Sequence, residues 1–370
     1  MATLEELHIK GLSTPAARWA RFGPYYAMFP LEFAFEVVNT YSKVGDSILD
    51  PFAGRCSSVY AGAVLGRHSW GIEINPVGWI YGKVKLNPAN KDDVITRLEQ
   101  IYAKHTHYTN SIEKLPEFFH YCFCKEVLAF LLAARKNLDW KTNDVDATLM
   151  AFILVHLHGK LGEGLSNQMR QTKSMGPEYS VNWWKEHNLA IPPQINPYDF
   201  MLKKIQWRYQ KGIPNMTESA VLFGDSTTEL DMVAQNAEQQ FSLLFTSPPY
   251  WSIADYHKDQ WLRLWLLGGT DRPKSTGQKH KRRFNSKVAY QNLLETVFSK
   301  CARMMADHST IYVRTDAREF TFNCTLEMLK KYFPEYKIET KEKPFKKKTQ
   351  TALFGNTSKK PAEIDIILQK

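Results

Sequence analysis

Phe241-Ser242-Leu243-Leu244-Phe245-Thr246-Ser247-Pro248-Pro249-Tyr250-Trp251 is the stretch on which the reading of this 370-residue chain turns. Phe241, Leu243, Leu244 and Phe245 make an apolar run suited to a buried parallel strand. Pro248 and Pro249 end it, because proline cannot donate a ladder hydrogen bond. A hydroxyl, two rigid carbonyls and two aromatic rings are left at the C-terminal end of the strand. In open α/β sheets, that edge is where ligands bind.

Working outward, other segments end in the same manner. Ser47-Ile48-Leu49-Asp50-Pro51-Phe52 reads as a short strand stopped by proline, followed by the turn Ala53-Gly54-Arg55-Cys56-Ser57-Ser58 and a helical run to Leu65. Such a turn either lets backbone amides approach the polar end of a ligand, with Asp50 as a nearby acceptor, or is an ordinary crossover. Trp70-Gly71-Ile72-Glu73-Ile74-Asn75-Pro76 is a second strand, ending in a carboxylate that can bind ribose hydroxyls or pair at the surface. Ala220-Val221-Leu222-Phe223-Gly224-Asp225-Ser226 is another, again closed by an acid. Apolar positions between Tyr25 and Val38 predict a helix entered through Phe29-Pro30, ahead of the first strand.

The stretch Thr246 to Trp251 resembles the catalytic motif of the DNA amino-methyltransferases, which place Asp, Asn or Ser before Pro-Pro-Tyr or Pro-Pro-Phe. Its serine form is most similar to the cytosine-N4 enzymes. Asp50, Pro51, Phe52 and Gly54 resemble the Asp-Pro-Phe-x-Gly-x-Gly cofactor motif of S-adenosylmethionine-dependent methyltransferases. Cys56 stands where the second glycine is usual, although only glycine visits positive φ freely. Residues 22–90 and 220–370 carry the resemblance. It implies an α/β fold, a seven-stranded Rossmann-like methyltransferase sheet with a mostly helical inserted target-recognition region. The expected division is 1–90 and 217–370 for the two parts of the catalytic domain and 91–216 for the insertion. The sheet is expected to close with an antiparallel hairpin from Lys337 to Lys343 and Ala362 to Gln369, after a strand at Ser309 to Arg314 and a helix at Phe322 to Tyr332.

The same resemblance implies that Phe29, Pro30, Asp50, Pro51, Phe52, Ala53, Gly54, Glu73, Ile74, Asp225, Ser226 and Thr246 hold S-adenosyl-L-methionine. Ser247, Pro248, Pro249 and Tyr250 are the implied catalytic group, and no metal is called for. An exocyclic amine is a poor nucleophile because its lone pair is delocalised into the ring. A Ser247 hydroxyl and the Pro248 carbonyl can accept its two hydrogens and favour the tetrahedral nitrogen that forms as the methyl arrives. Tyr250 offers a face on which a flipped base can stack. The carbon-5 cytosine methyltransferases need a nucleophilic cysteine after proline, and this chain has no Pro-Cys pair.

The balance of 48 Lys plus Arg against 38 Asp plus Glu, a net charge of +10, favours a polyanionic partner, here double-stranded DNA. Between Gly159 and Trp184, Asn167, Gln168, Arg170, Gln171, Lys173 and Tyr179 are either a solvated polar loop or side chains that read bases and phosphates. His156 and His158 flank Leu157, so on a helix they cannot form an i, i+4 metal site and read as satisfied or partly buried. After a helix from Ile253 to Leu267, Lys279, Lys281, Arg282 and Arg283 form either a solvated loop or a clamp on the DNA backbone, with Trp251 at its approach. Residues 1–25 are expected to wrap the domain edge.

Five cysteines without disulfide-framework or zinc spacing suit a reducing cytoplasm. Met1 to Lys10 lack a signal-peptide core, and no apolar run reaches membrane-spanning length, so no membrane partner is expected. The expected function is the modification enzyme of a restriction-modification system, with a cognate restriction endonuclease acting separately. Adenine-N6 methylation, RNA methylation and a silent DNA-binding role are the alternatives. Target sequence and oligomeric state are not legible.

Overall fold

The computed structural model describes residues 11–25, 29–251, 256–273, 286–343 and 363–370. Its centre is a seven-stranded sheet: β1 Ser47–Asp50, β2 His68–Glu73, β3 Ser219–Phe223, β4 Phe241–Thr246, β5 Met305–Asp316, β6 Lys337–Lys343 and β7 Glu363–Gln369. The order is β3-β2-β1-β4-β5-β7-β6. Strands β1 to β5 run parallel, and β7 lies antiparallel to both β5 and β6. The chain therefore reverses its direction of winding between β1 and β4, the point at which an open sheet leaves a crevice at its C-terminal edge.

Side chains alternate between two apolar layers, as a strand's period of two requires. Ile48, Leu243 and Phe245 face one core and Leu49 and Leu244 the other; Phe241 joins the second because the register of β4 shifts between Phe241 and Leu243. The second core is closed by helices Ser226–Asn236, Lys287–Ala302 and Glu319–Tyr332. Tyr290, Leu293, Leu294, Val297, Phe298 and Cys301 give the middle one a clear helical stripe. The first core is closed by helices Leu31–Tyr41, Ser57–Val64 and Pro76–Leu86 and runs without a break into the helices of the insertion. Those helices include Lys91–Ala103, Lys125–Asn137, Asp144–His156, Pro177–Glu186 and Pro197–Tyr209.

Two expectations need correction. Residues 11–25 do not wrap an edge: helix Pro15–Ala20, capped by Thr14, drives Trp19 and Phe22 fully into the first core. There they meet Phe152 of the insertion edge-on at 6.2 and 5.1 Å, and Trp19 donates to the Gly212 carbonyl. The helix ahead of the first strand is entered at Pro30, its N-cap, as expected, and spans Leu31–Tyr41. The helix expected from Ile253 to Leu267 is two short ones, Tyr256–Asp259 and Trp261–Leu266, parted at Gln260. Among the described residues, no helix is long and apolar enough to cross a membrane.

Candidate active site

The acids at the strand ends converge on the winding-reversal point. Asp50 closes β1 and is 1% exposed. One of its oxygens accepts from the Thr246 hydroxyl at 2.6 Å and from the Phe52 amide at 3.1 Å, and the other from Ser58. Burial pushes its carboxyl up to about 6 despite those three donors. The Thr246 contact spans 196 residues of sequence and ties the end of β4 to the end of β1.

Glu73, at the end of β2, accepts from the Asn75 amide at 2.6 Å, and burial raises its carboxyl to about 8. Backbone donors at Gly54 and Ile74 oppose that rise, so Glu73 touches the glycine turn itself. Gly54 is left-handed, at φ 55°. Gly78 matters by its size: a Cβ there would lie 2.5 Å from the Gly54 carbonyl, so only glycine lets helix Pro76–Leu86 approach the turn. Beside Glu73, the side chain of Ile74 is 40% exposed. Asp225 caps helix Ser226–Asn236 by accepting from the Thr227 amide and hydroxyl at 3.0 and 2.8 Å. Ser226 donates to the Pro51 carbonyl, and the Ala53 amide to the Ile72 carbonyl, which joins β3, β2 and the turn.

Phe29 stacks on Phe245 of β4 at 4.8 Å, and Pro30 is exposed. Beyond Thr246, Pro248 is buried, whereas Ser247, Pro249, Tyr250 and Trp251 are half-buried. The Tyr250 hydroxyl lies 3.5 Å from a Glu363 oxygen. Trp251 packs edge-on against Phe320 at 5.2 Å, under the Lys287 ammonium.

Sequence reading did not single out the charged group beneath Tyr250. Arg314 of β5 makes two hydrogen bonds to Asp365 of β7, at 2.6 and 2.9 Å, and lies 3.4 Å from Glu363. Its guanidinium sits 3.5 Å over the Phe33 ring, and the Tyr312 hydroxyl donates to Asp365. The only signal in the sequence was a charge inside each of two apolar strands.

The polar loop of the insertion packs against the two short helices that follow β4. Gln168 accepts from the Leu161 amide, the Arg170 carbonyl accepts from His158, and Gln171 is exposed. Asn167, by contrast, is buried and spends its amide on the Tyr121 and Leu189 carbonyls, so it is a strut of the loop and not an outward reader. His158 is satisfied by Arg170 and Ser174, as its sequence position suggested. Lys173 pairs with Asp259 at 2.5 Å, and Arg263 reaches the Gln171 and Leu154 carbonyls. Gln260 and Trp261 donate to the Thr172 and Met175 carbonyls. Lys279, Lys281, Arg282 and Arg283 lie outside the described residues. No group of three His, Cys, Asp or Glu that could hold a metal occurs among the described residues.

Residues 6–77 match the family model of the N6/N4 type, described as DNA methylase. The chain is similar to the Type II methyltransferase M.MthZI of Methanothermobacter thermautotrophicus, 43% identical over 49 residues. That match spans 13% of this chain and 14% of the relative's length. Among solved structures, the rRNA methyltransferase aviRa from Streptomyces viridochromogenes overlays 95% of this chain and 89% of its own at 11% identity, with a TM-score of 0.34.

Proposed function

We propose that the chain, whose residues 6–77 match the N6/N4 DNA methylase model, transfers a methyl group from S-adenosylmethionine to the N4 amine of cytosine in duplex DNA. The observation that carries the proposal is the 2.6 Å bond from Thr246 to Asp50, which anchors Ser247-Pro248-Pro249-Tyr250 to the glycine turn. The donor set suits the cofactor. Glu73 and Asp225 match ribose hydroxyls and an adenine amine, and the exposed Ile74 side chain offers an apolar face beside Glu73. When bound, the group supplies an already activated methyl with an uncharged leaving group.

The remaining work falls to the protein's own residues. Ser247 and the Pro248 carbonyl orient the target amine through its two hydrogens, so that the lone pair turns out of the ring plane. Tyr250 stacks on the flipped base, with its hydroxyl directed to Glu363. Gln168, Arg170, Gln171 and Lys173 meet the DNA from the insertion, and Lys279, Lys281, Arg282 and Arg283 meet its backbone. The enzyme serves as the modification half of a restriction-modification system.

The matched model covers N6 and N4 enzymes alike, and serine before Pro-Pro favours cytosine. Purified protein incubated with unmodified plasmid and labelled cofactor, followed by nucleoside mass spectrometry, is expected to give N4-methylcytosine. N6-methyladenine as the sole product reverses the choice of base, and transfer to RNA but not DNA rejects the DNA substrate.

A further inference from the structure

Cys56 occupies a backbone conformation that its side chain disfavours. Its φ of 60° and ψ of 46° are left-handed, at the N-cap of helix Ser57–Val64, and its thiol makes no capping bond. A Cβ in that region crowds the following carbonyl, which is why glycine is the usual occupant. The rotation is set by the plane of the Arg55–Cys56 peptide, and that plane is held at both ends. Its N–H donates to the Ala53 carbonyl at 2.6 Å, and its carbonyl accepts from the ammonium of Lys85, thirty residues on.

Lys85 is an unusual residue to find there. It is 0% exposed, on helix Pro76–Leu86, and no carboxylate pairs with it among the described residues. The polar contact described for it is the Arg55 carbonyl, with the Tyr60 ring 5.7 Å away. Burying an ammonium against one carbonyl costs free energy that the helix alone does not return. Space for the thiol comes from the same helix. A Cβ at Gly82 would lie 2.2 Å from Cys56 Sγ and 3.0 Å from its Cβ.

We propose that Lys85, with Gly82 making room, is a positioning residue that pins the Arg55–Cys56 peptide and so holds a cysteine in the glycine conformation needed by the cofactor turn. Flipping that peptide would relieve Cys56, release the Lys85 bond and carry the adjoining Gly54 backbone away from Glu73. The inference rests on the reading of this turn as the S-adenosylmethionine site. It adds to that reading the device by which this chain does without the second glycine.

The test is a rescue. Calorimetric titration with S-adenosylhomocysteine compares the unaltered protein, Lys85→Met, Gly82→Ala, Cys56→Gly, and each of the first two variants combined with Cys56→Gly. Lys85→Met and Gly82→Ala are each expected to weaken binding about tenfold, or ~1.4 kcal/mol. Adding Cys56→Gly is expected to bring both back to within about threefold of Cys56→Gly alone, because glycine needs no pin. Unchanged affinity in Lys85→Met and Gly82→Ala, or weak binding that persists after Cys56→Gly, overturns the proposal; a general loss of stability would not be repaired by that substitution. Should Lys85→Met not fold alone, Lys85→Met on the Cys56→Gly background decides: affinity within about threefold of Cys56→Gly supports the pin, and weaker binding overturns it. Absence of binding to the unaltered protein rejects the cofactor reading instead. Hydrogen exchange at the residue-56 amide then judges the pin directly, and equal protection with and without Lys85 overturns it.

Discussion

Asp50 and Glu73 hold protons at pH values where exposed carboxylates have lost them, and this leaves a signature in stability. Burial raises Glu73 from its ordinary 4.5 to about 8 and Asp50 from 3.8 to about 6. A group raised in the native state contributes stability that is complete below its unfolded value and drains away as pH climbs through the native one. For Glu73 the window is about 4.5 to about 8. The ligand-free protein is therefore expected to lose stability across it, and Glu73→Gln to lose less, measured as urea midpoints at each pH. Half-buried His156 and buried His158, lowered by desolvation, act in the opposite sense at the acid end, but equally in both proteins, so the difference isolates Glu73. Parallel pH profiles would reject a protonated Glu73. At this scale the sequence was partly transparent. Asp50, Glu73 and Asp225 announced themselves as acids at strand ends, whereas Lys85 did not, because a helical lysine ordinarily extends its charge into water.

At the scale of elements, the antiparallel β5–β7 pairing supports the proposed catalytic edge through one buried ion pair. Register sets Arg314 opposite Asp365, and the two are 4% and 0% exposed. Removing one member strands the other in a low-dielectric interior. Asp365→Ala is expected to cost about 3–5 kcal/mol in equilibrium urea unfolding. Replacing Arg314 and Asp365 together with apolar residues should cost far less, and a loss under about 1 kcal/mol from the single change would contradict the pair's role. The pairing was illegible in one dimension, because 51 residues separate the partners and only register joins them. Strands ended by proline or an acid were readable for the opposite reason, since both their signals are local. Helix Pro15–Ala20 hid because Trp19 and Phe22 are interrupted by Arg18 and Arg21 and find their core more than a hundred residues later.

For the whole molecule, an excess of ten positive charges makes binding to a polyanion a matter of counterion release. Affinity for duplex DNA is expected to fall log-linearly with salt. Replacing Lys279, Lys281, Arg282 and Arg283 with alanine is expected to flatten that slope by about 3–4, at roughly 0.9 per phosphate contact. Fluorescence anisotropy across a salt series reads it, and an unaltered slope removes this run from the interface. The division at residues 91 and 216 was drawn from a change in periodicity, but the first core crosses it without a seam. The clasp at Arg263 shows what that continuity means for inheritance. Its fully buried guanidinium is satisfied by Leu154 and Gln171 of the insertion and by Gln260 beside it, while Trp261 leans on Met175. Both partners in the insertion are backbone carbonyls, so substitutions there keep them, whereas an insertion of different backbone path would leave the cation short of acceptors. What must be inherited along with Arg263 is therefore a backbone path, not a set of side chains.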